Sequence, residues 1–584
     1  MNALKKTEKN PHRTARVVRR AALMSAVLFC ALPPVSLAQP VTIPSSALPG
    51  AVQPGRGDRP VPIPPSQPDF DFRIDAPSRS AGGRDLDTVI FTLKDLHITG
   101  AKMLPEETFR SLYAKLIGQT VKLSNILDVA DGIEKIYRDK GYILVRAYVP
   151  PQRVRDGVFA INVVEGKIAH VTVQGGTPAT QDKIKQYLQP SVDQAPLPLV
   201  SMERSLLLSN DLPGTTASGV LKPSEDVPGA SDLVVNVNQP RFTGGLGSDN
   251  RGSRYSGLWT LIADAQINSI FDGADQLTGA FITSPDATKQ VATQARYRRA
   301  IGPDGVIGTI AGTITHGQPG STLSAFGVVT DSWAVGPRLT WPIIRSREQS
   351  LQLDGGITFQ QSGVDILASR TAHDVWRVAD INATYLYSNW MGGSWMATAG
   401  IAQGIPALGA SPNLSANLSR KGGYLDFTKF TGLVRYVGFL PEGFSVVVTG
   451  QGQFSSAPLI NGELISFGGA GIGRGYDPGA ITGDHGLGGS GELRYDAPWT
   501  NQYVLNVQPY VYADGGQTWY IQRGAAIDPN FMDQSVTSVG GGVRLALPYN
   551  ASLGLEGSRT LRAVTGSDVG KKATKLFVTA GIRF

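Results

Sequence analysis

The sequence predicts two small α+β modules followed by an all-β transmembrane barrel of 16 antiparallel strands. Three observations carry that expectation. From Arg241 to Phe584, runs of about ten residues alternate apolar with polar side chains, separated in turn by short turns and longer polar loops. Only 17% of the residues are charged, whereas there are 69 glycines, 20 Phe, 18 Tyr and 8 Trp, a balance that suits a barrel wall better than a cytosolic enzyme. Finally, no segment beyond the amino terminus offers the roughly 18 uninterrupted apolar residues of a membrane helix, so a membrane-spanning structure would have to close on itself as a barrel.

The amino terminus accounts for the apparent basicity. Seven Lys and Arg residues between Lys5 and Arg20 precede the apolar run Ala21 to Leu32, and Ser36-Leu37-Ala38 supplies the small residues of a cleavage site, so residues 1–38 read as a secretory signal peptide. Their removal leaves 47 basic against 46 acidic residues and lowers the formal charge from +7 to +1, which takes away the main support for a nucleic-acid partner. The one cysteine, Cys30, goes with this leader, and no disulfide is expected in an oxidising compartment. Residues 39–87 hold ten prolines and read as a partly extended linker with no candidate for a long helix.

Two similar units come next, at 88–166 and 167–240. In the first, a strand around Phe91 to Ile98 leads to a helix opened by Pro105, with Phe109, Leu112, Tyr113 and Leu116 at helical spacing. A second helix carries Leu123, Ile126, Ala130, Ile133 and Tyr137 on one stripe, and strands at 143–149 and 158–164 complete the unit. The order strand, helix, helix, strand, strand recurs at 168–173, 180–188, 199–208, 215–221 and 233–237. A small sheet packed by two helices leaves an edge to which an extended polypeptide can add through main-chain hydrogen bonds.

The barrel occupies 241–584, with strands expected to begin near residues 241, 257, 275, 290, 305, 333, 349, 374, 393, 422, 443, 487, 502, 536, 551 and 573. An even count returns both barrel ends to the side of the modules, and sixteen strands are wide enough to enclose an aqueous channel. The glycine-rich stretch Gly468 to Gly489 then falls in the sixth loop on the far side and carries Arg474-Gly475-Tyr476. Downstream, alternation places Tyr510, Tyr512, Asp514 and Gly516 on one strand face. A bidentate contact between Arg474 and Asp514 would pin the loop inside the lumen as a latch. The glycine loop is no nucleotide site, because no strand-to-helix unit surrounds it and no Lys-Ser/Thr comes after it.

These residues carry a resemblance. Arg474-Gly475-Tyr476 and Tyr510-x-Tyr512-x-Asp514-x-Gly516 resemble the loop and barrel-strand motifs of two-partner secretion transporters and their wider outer-membrane assembly superfamily. Gly473 departs from that pattern, standing where the family usually has Val or Ile. The repeated units resemble POTRA modules, and Gly141-Tyr142, Tyr148-Val149-Pro150-Pro151-Gln152 and Asn210-Asp211-Leu212-Pro213-Gly214 resemble motifs of the secretion branch, the ShlB/FhaC/HecB haemolysin secretion/activation family. The terminal Phe584 is similar to an outer-membrane assembly signal read by the barrel assembly machinery. The resemblance implies a Gram-negative outer-membrane pore, its modules in the periplasm and its barrel in lipid. It also implies secretion of one large exoprotein, such as a haemolysin, adhesin or filamentous haemagglutinin, bound through an amino-terminal secretion domain and exported without nucleotide hydrolysis. Many family members begin with a helix that plugs the pore, for which this linker offers no counterpart. The same superfamily implies an alternative, a factor that inserts other barrels into the membrane.

Enzymatic classes find no support. The six histidines are scattered, and none stands in a Ser/His/Asp or metal-ligand spacing, so no catalytic residue, metal or cofactor is expected.

Overall fold

In the computed structural model the described residues are 72–74 and 90–584, apart from 151, 153–156, 193, 272, 391, 523–531 and 565–572. The expected signal peptide at 1–38 and nearly all of the linker lie outside them.

The first module builds its core from two periodicities. Ile126, Ile133 and Tyr137 line one face of the helix Leu123–Asp139, while Leu96, Phe159 and Ile161 point from the strands Asp95–Thr99 and Val158–Glu165, and all six are buried. Asp95–Thr99 runs parallel to Val158–Glu165, and Val145–Tyr148 pairs antiparallel on the other side. The helix expected after Pro105 is much shorter than its spacing predicts: a 3-10 turn, Glu106–Phe109, runs into one helical turn, Arg110–Tyr113. The chain then reverses at Gly118, where φ is +79°, so that Thr120–Lys122 can pair with Ile90–Thr92. Tertiary pairing overrides the local helical pattern here.

In the second module the strands Ile168–Gln174, Thr216–Pro223 and Ser231–Asn238 and the helices Pro178–Val192 and Leu199–Asn210 repeat the order. Its outer edge is covered by the chain itself, because Phe72–Ile74 pairs parallel to Thr216–Pro223 with Phe72 opposite Gly219 and Ile74 opposite Leu221. Leu144 of the first module belongs to the second module's core, and the Leu199 amide donates to the Gly141 carbonyl at 2.8 Å, which fuses the two modules.

Sixteen antiparallel strands close the barrel, the first, Phe242–Asp249, pairing with the last, Thr574–Arg583, from Gly245 opposite Arg583 to Asp249 opposite Thr579. Along the wall, apolar side chains such as Leu246, Val448, Leu487, Val511 and Leu576 stand outward and exposed, and the alternate positions face the lumen. Most strands start within a few residues of expectation. The largest departures are the eighth, Ser369–Trp390, which starts earlier, and the tenth, Thr428–Phe439, which starts later. The eighth is a 22-residue strand whose polar upper part extends past the apolar band, where alternation carries no signal.

The Asn210-Asp211-Leu212-Pro213-Gly214 motif is the joint between modules and barrel. Asp211 accepts two hydrogen bonds from Arg345, at 2.7 and 2.8 Å, next to the turn joining the sixth and seventh strands. Arg204 donates to the carbonyls of Pro342 and Ile343, and Glu203 accepts the Arg347 amide. Asn210 fixes the motif itself by bonding both the amide and the carbonyl of Ala217 at 2.8 Å. The even-to-odd turns of the barrel therefore face the modules, and the odd-to-even loops lie at the far end. Arg345→Ala removes a forked, charge-assisted contact on a partly exposed carboxylate, a loss of about 1–2 kcal/mol. Limited proteolysis should cut the module-to-barrel connection roughly tenfold faster in that variant while the barrel stays heat-modifiable.

Candidate functional site

The loop between the eleventh and twelfth strands, residues 456–484, turns back into the lumen. Its two limbs pair as a ribbon, Ile465–Phe467 with Ile481–Gly483, and its tip carries Arg474-Gly475-Tyr476. Phe467, Ile472, Tyr476 and Ile481 are buried against Val536 and Val564 of the wall and the last loop. Gly516 makes this possible: a Cβ there would lie 2.8 Å from the Phe467 ring. The barrel-strand glycine is thus the floor on which the loop's aromatic anchor rests.

Gly475 sits against the wall for the same reason, since a Cβ would come within 3.1 Å of Ser538, Ser558 and Thr560. The Tyr476 hydroxyl donates to the Arg562 carbonyl at 2.8 Å, lies 3.0 Å from the Thr537 carbonyl, and accepts from both amides. Asp477 completes the seat through Lys575 of the last strand at 2.5 Å. Gly473 adopts φ +87°, a conformation that Val or Ile would hold only with strain, so the departure from the family pattern matches the turn this tip makes.

The structure corrects the expected partner of Arg474. Its guanidinium does not fork onto Asp514. Nη1 donates to Glu492 at 2.5 Å, whereas Nε stands 4.0 Å from Asp514. Asp514 instead accepts the Arg474 backbone amide at 3.1 Å and the Ser538 hydroxyl, and so holds the loop's main chain. Glu492, 2% exposed, also accepts from Arg494 at 2.6 Å and from Arg544 at 2.8 and 3.1 Å. Three guanidiniums thus converge on one carboxylate. The ring of Tyr512 lies 4.2 Å from the Arg474 guanidinium carbon and that of Tyr510 3.8 Å from that of Arg544. The Tyr510 hydroxyl donates to Glu556 at 2.7 Å, Tyr512 reaches Ser558 at 2.7 Å, and Arg251 approaches Glu556 at 3.0 Å.

Glu492, Glu556 and Arg544 are the residues that the motifs alone do not reveal. Glu492 carries the same signal as Asp514, an acid at an inward position of an alternating strand, Gly488, Ser490, Glu492, Arg494. Beside this cluster the lumen keeps a cavity of about 660 Å³, bounded by the loop tip and by Arg435, Arg494 and Arg544. Phe584 lies apart from it, at the closing seam, where its amide and carbonyl exchange hydrogen bonds with Gly244 at 3.0 and 2.8 Å and its ring is exposed. Among the described residues no group of His, Cys, Asp and Glu is arranged to hold a metal ion.

A family model for the haemolysin secretion/activation proteins ShlB/FhaC/HecB matches residues 229–545, and one for the ShlB-type POTRA domain matches residues 91–166. The chain belongs to this family. It is 23% identical over 403 residues to the heme/hemopexin transporter protein HuxB of Haemophilus influenzae, covering 67% of this chain and 69% of that one. The outer membrane transporter CdiB of Dickeya dadantii is 23% identical over 458 residues, 74% and 76% of the two chains. In fold, the chain is similar to the solved structure of CdiB from Escherichia coli, with a TM-score of 0.66 at 18% identity over 87% of this chain and 93% of that one. This transporter therefore resides in the outer membrane, its POTRA modules reach into the periplasm, and its odd-to-even loops are extracellular.

Replacing Glu492 by Gln leaves three guanidiniums around a neutral amide, a buried-charge penalty of about 3 kcal/mol that falls on the seated loop. At about 1.4 kcal/mol per decade, that raises the unseated population on the order of 100-fold, to be read as channel openings of the purified protein in planar bilayers.

Proposed function

We propose that this transporter exports one large exoprotein, recognised through its amino-terminal secretion domain, and that the export needs no nucleotide hydrolysis. The observation that carries the reading is a non-covalent loop seated inside the lumen: its tip is held by hydrogen bonds and ion pairs to the wall, each of which can be broken and remade. In the proposed cycle the client adds as a strand to a module, the loop leaves Glu492 and Asp514, and a hairpin of the client passes through the lumen. Among the described residues, Asp95–Thr99 and Ile168–Gln174 are edge strands to which a client strand can add, whereas Phe72–Ile74 already occupies the edge of Thr216–Pro223 and Glu134 takes the Ala147 amide on the edge of Val145–Tyr148. Folding of the client outside, where it buries its own apolar surface, makes the return passage unfavourable. Arg474 acts as the latch through its guanidinium on Glu492, with Asp514 holding its backbone amide, Gly475, Tyr476, Tyr510, Tyr512 and Gly516 act as the fitted seat, and Phe584 acts as the signal by which the barrel assembly machinery closes the seam.

The expected partner is a large exported protein with an amino-terminal secretion domain encoded beside this chain. Deleting the transporter should lower that protein in the medium at least tenfold with other outer-membrane barrels at normal levels. An undiminished exoprotein together with a general fall in barrels would instead identify an insertion factor. In the same assay Arg474→Ala should be inserted and heat-modifiable yet secrete at least fivefold less; an inserted Arg474→Ala protein that secretes normally would remove the latch.

A further inference from the structure

The plugging loop is held at a second place, apart from the Arg474 tip and built from different contacts. Asp484, the last residue before the twelfth strand, is fully buried. One carboxylate oxygen accepts from Arg420 Nη1 at 2.6 Å and from the Leu459 amide at 2.6 Å, and the other accepts the Ile521 amide at 2.7 Å. Arg420, 4% exposed, also donates to the carbonyls of Leu459 at 3.2 Å and Ile521 at 2.9 Å and lies 5.0 Å from the centre of the Tyr520 ring. Arg420 belongs to the fifth extracellular loop, Leu459 and Asp484 to the sixth, and Tyr520 and Ile521 to the seventh. One ion pair therefore gathers three loops.

Around the pair the loops share a small apolar core. Leu418, Leu425 and Phe427 of the fifth loop pack with Leu459, Ile460 and Leu464 of the sixth over Trp376 of the eighth strand. The Tyr424 amide bonds the Pro458 carbonyl at 2.8 Å, which bridges the fifth and sixth loops. Glu463 ties the other limb of the sixth loop to the wall through Trp376 Nε1 at 2.7 Å and Lys429 at 2.6 Å. Both limbs that carry the Arg474 tip are therefore fixed at the outer end as well.

A cap that only had to stay shut could be apolar throughout, because a buried ion pair is commonly no more stabilising than well-packed apolar residues of the same volume. An ion pair differs in the state its separation produces: both charges regain water, so the parted loops do not expose apolar surface at that point. We propose that Asp484 and Arg420 are the gating pair of the extracellular exit, and that the exported chain leaves when Asp484 releases Arg420 and Ile521 and the fifth and seventh loops part from the sixth. The inference rests on the export reading for its biological purpose, but its test does not require a client.

In planar bilayers, full-length Asp484→Asn protein with the Glu492 seat intact should show an open probability at least tenfold above the natural sequence. Arg420→Met/Asp484→Leu, which removes both charges, should be as quiet as the natural protein. Natural-sequence open probability in inserted Asp484→Asn would overturn the gate. Should that variant fail to insert, Tyr424→Cys/Leu459→Cys supplies the test, since the one native cysteine, Cys30, lies in the predicted leader. With the crosslink formed, exoprotein in the medium should fall at least tenfold and return on reduction; export unchanged by a verified crosslink would overturn the proposal. A leaky Asp484→Asn protein in a strain whose exoprotein is secreted without this transporter would count against the export reading alone.

Discussion

A carboxylate buried in the wall of a barrel is tolerable only if cations close on it, and Glu492 has three. Arg494 on its own strand and Arg544 two strands away are permanent parts of the wall, whereas Arg474 arrives on a loop. The wall arginines still partly neutralise Glu492 when the loop leaves, so the unseated state is costly without being forbidden. A carboxylate with Arg474 as its single partner would bind the loop too tightly to move, and a wall with no acid would not hold it. The seated position of the loop rests on this unequal sharing.

The remaining architecture aligns and guards that contact. Asp514 holds the loop's backbone amide and leaves the guanidinium free to reach Glu492. Gly516 and Gly475 let two surfaces approach to distances that a methyl group would forbid. At the periplasmic end, Asp211 and Arg345 fix the second module to the barrel. At the outer end, the loops gathered on Asp484 cover the exit.

Much of the fold is legible in the sequence because a barrel wall has one side in lipid and one in water, which writes period-two alternation over every strand. Val446, Val448 and Gly450 against Ser445, Thr449 and Gln451 is such a record. Where strands outrun the membrane, as at Ser369, both faces are polar and the boundary loses its mark. The short first helix is hidden because Leu112 and Leu116 have helical spacing, while the pairing of Thr120–Lys122 with Ile90–Thr92 decides the outcome. The motif residues are legible in the sequence, and their wiring is not. Ser490 lies opposite Asp514 and Glu492 opposite Tyr512, a register that puts two acids within reach of one arginine. No one-dimensional pattern says which of them takes the side chain and which the main chain; the positive φ at Gly473 is part of the turn that does.

The most direct test of the account is a pair of double-mutant cycles on the closed-state stability of the channel, one on Arg474→Met with Glu492→Gln and the other on Arg474→Met with Asp514→Asn. Because the guanidinium donates to Glu492 at 2.5 Å but stands 4.0 Å from Asp514, whose hydrogen bond goes to the backbone amide, the first cycle should give a coupling of about 2–3 kcal/mol and the second less than about 1 kcal/mol. A larger coupling to Asp514 than to Glu492 would contradict it, and would restore the Arg474 to Asp514 contact as the latch.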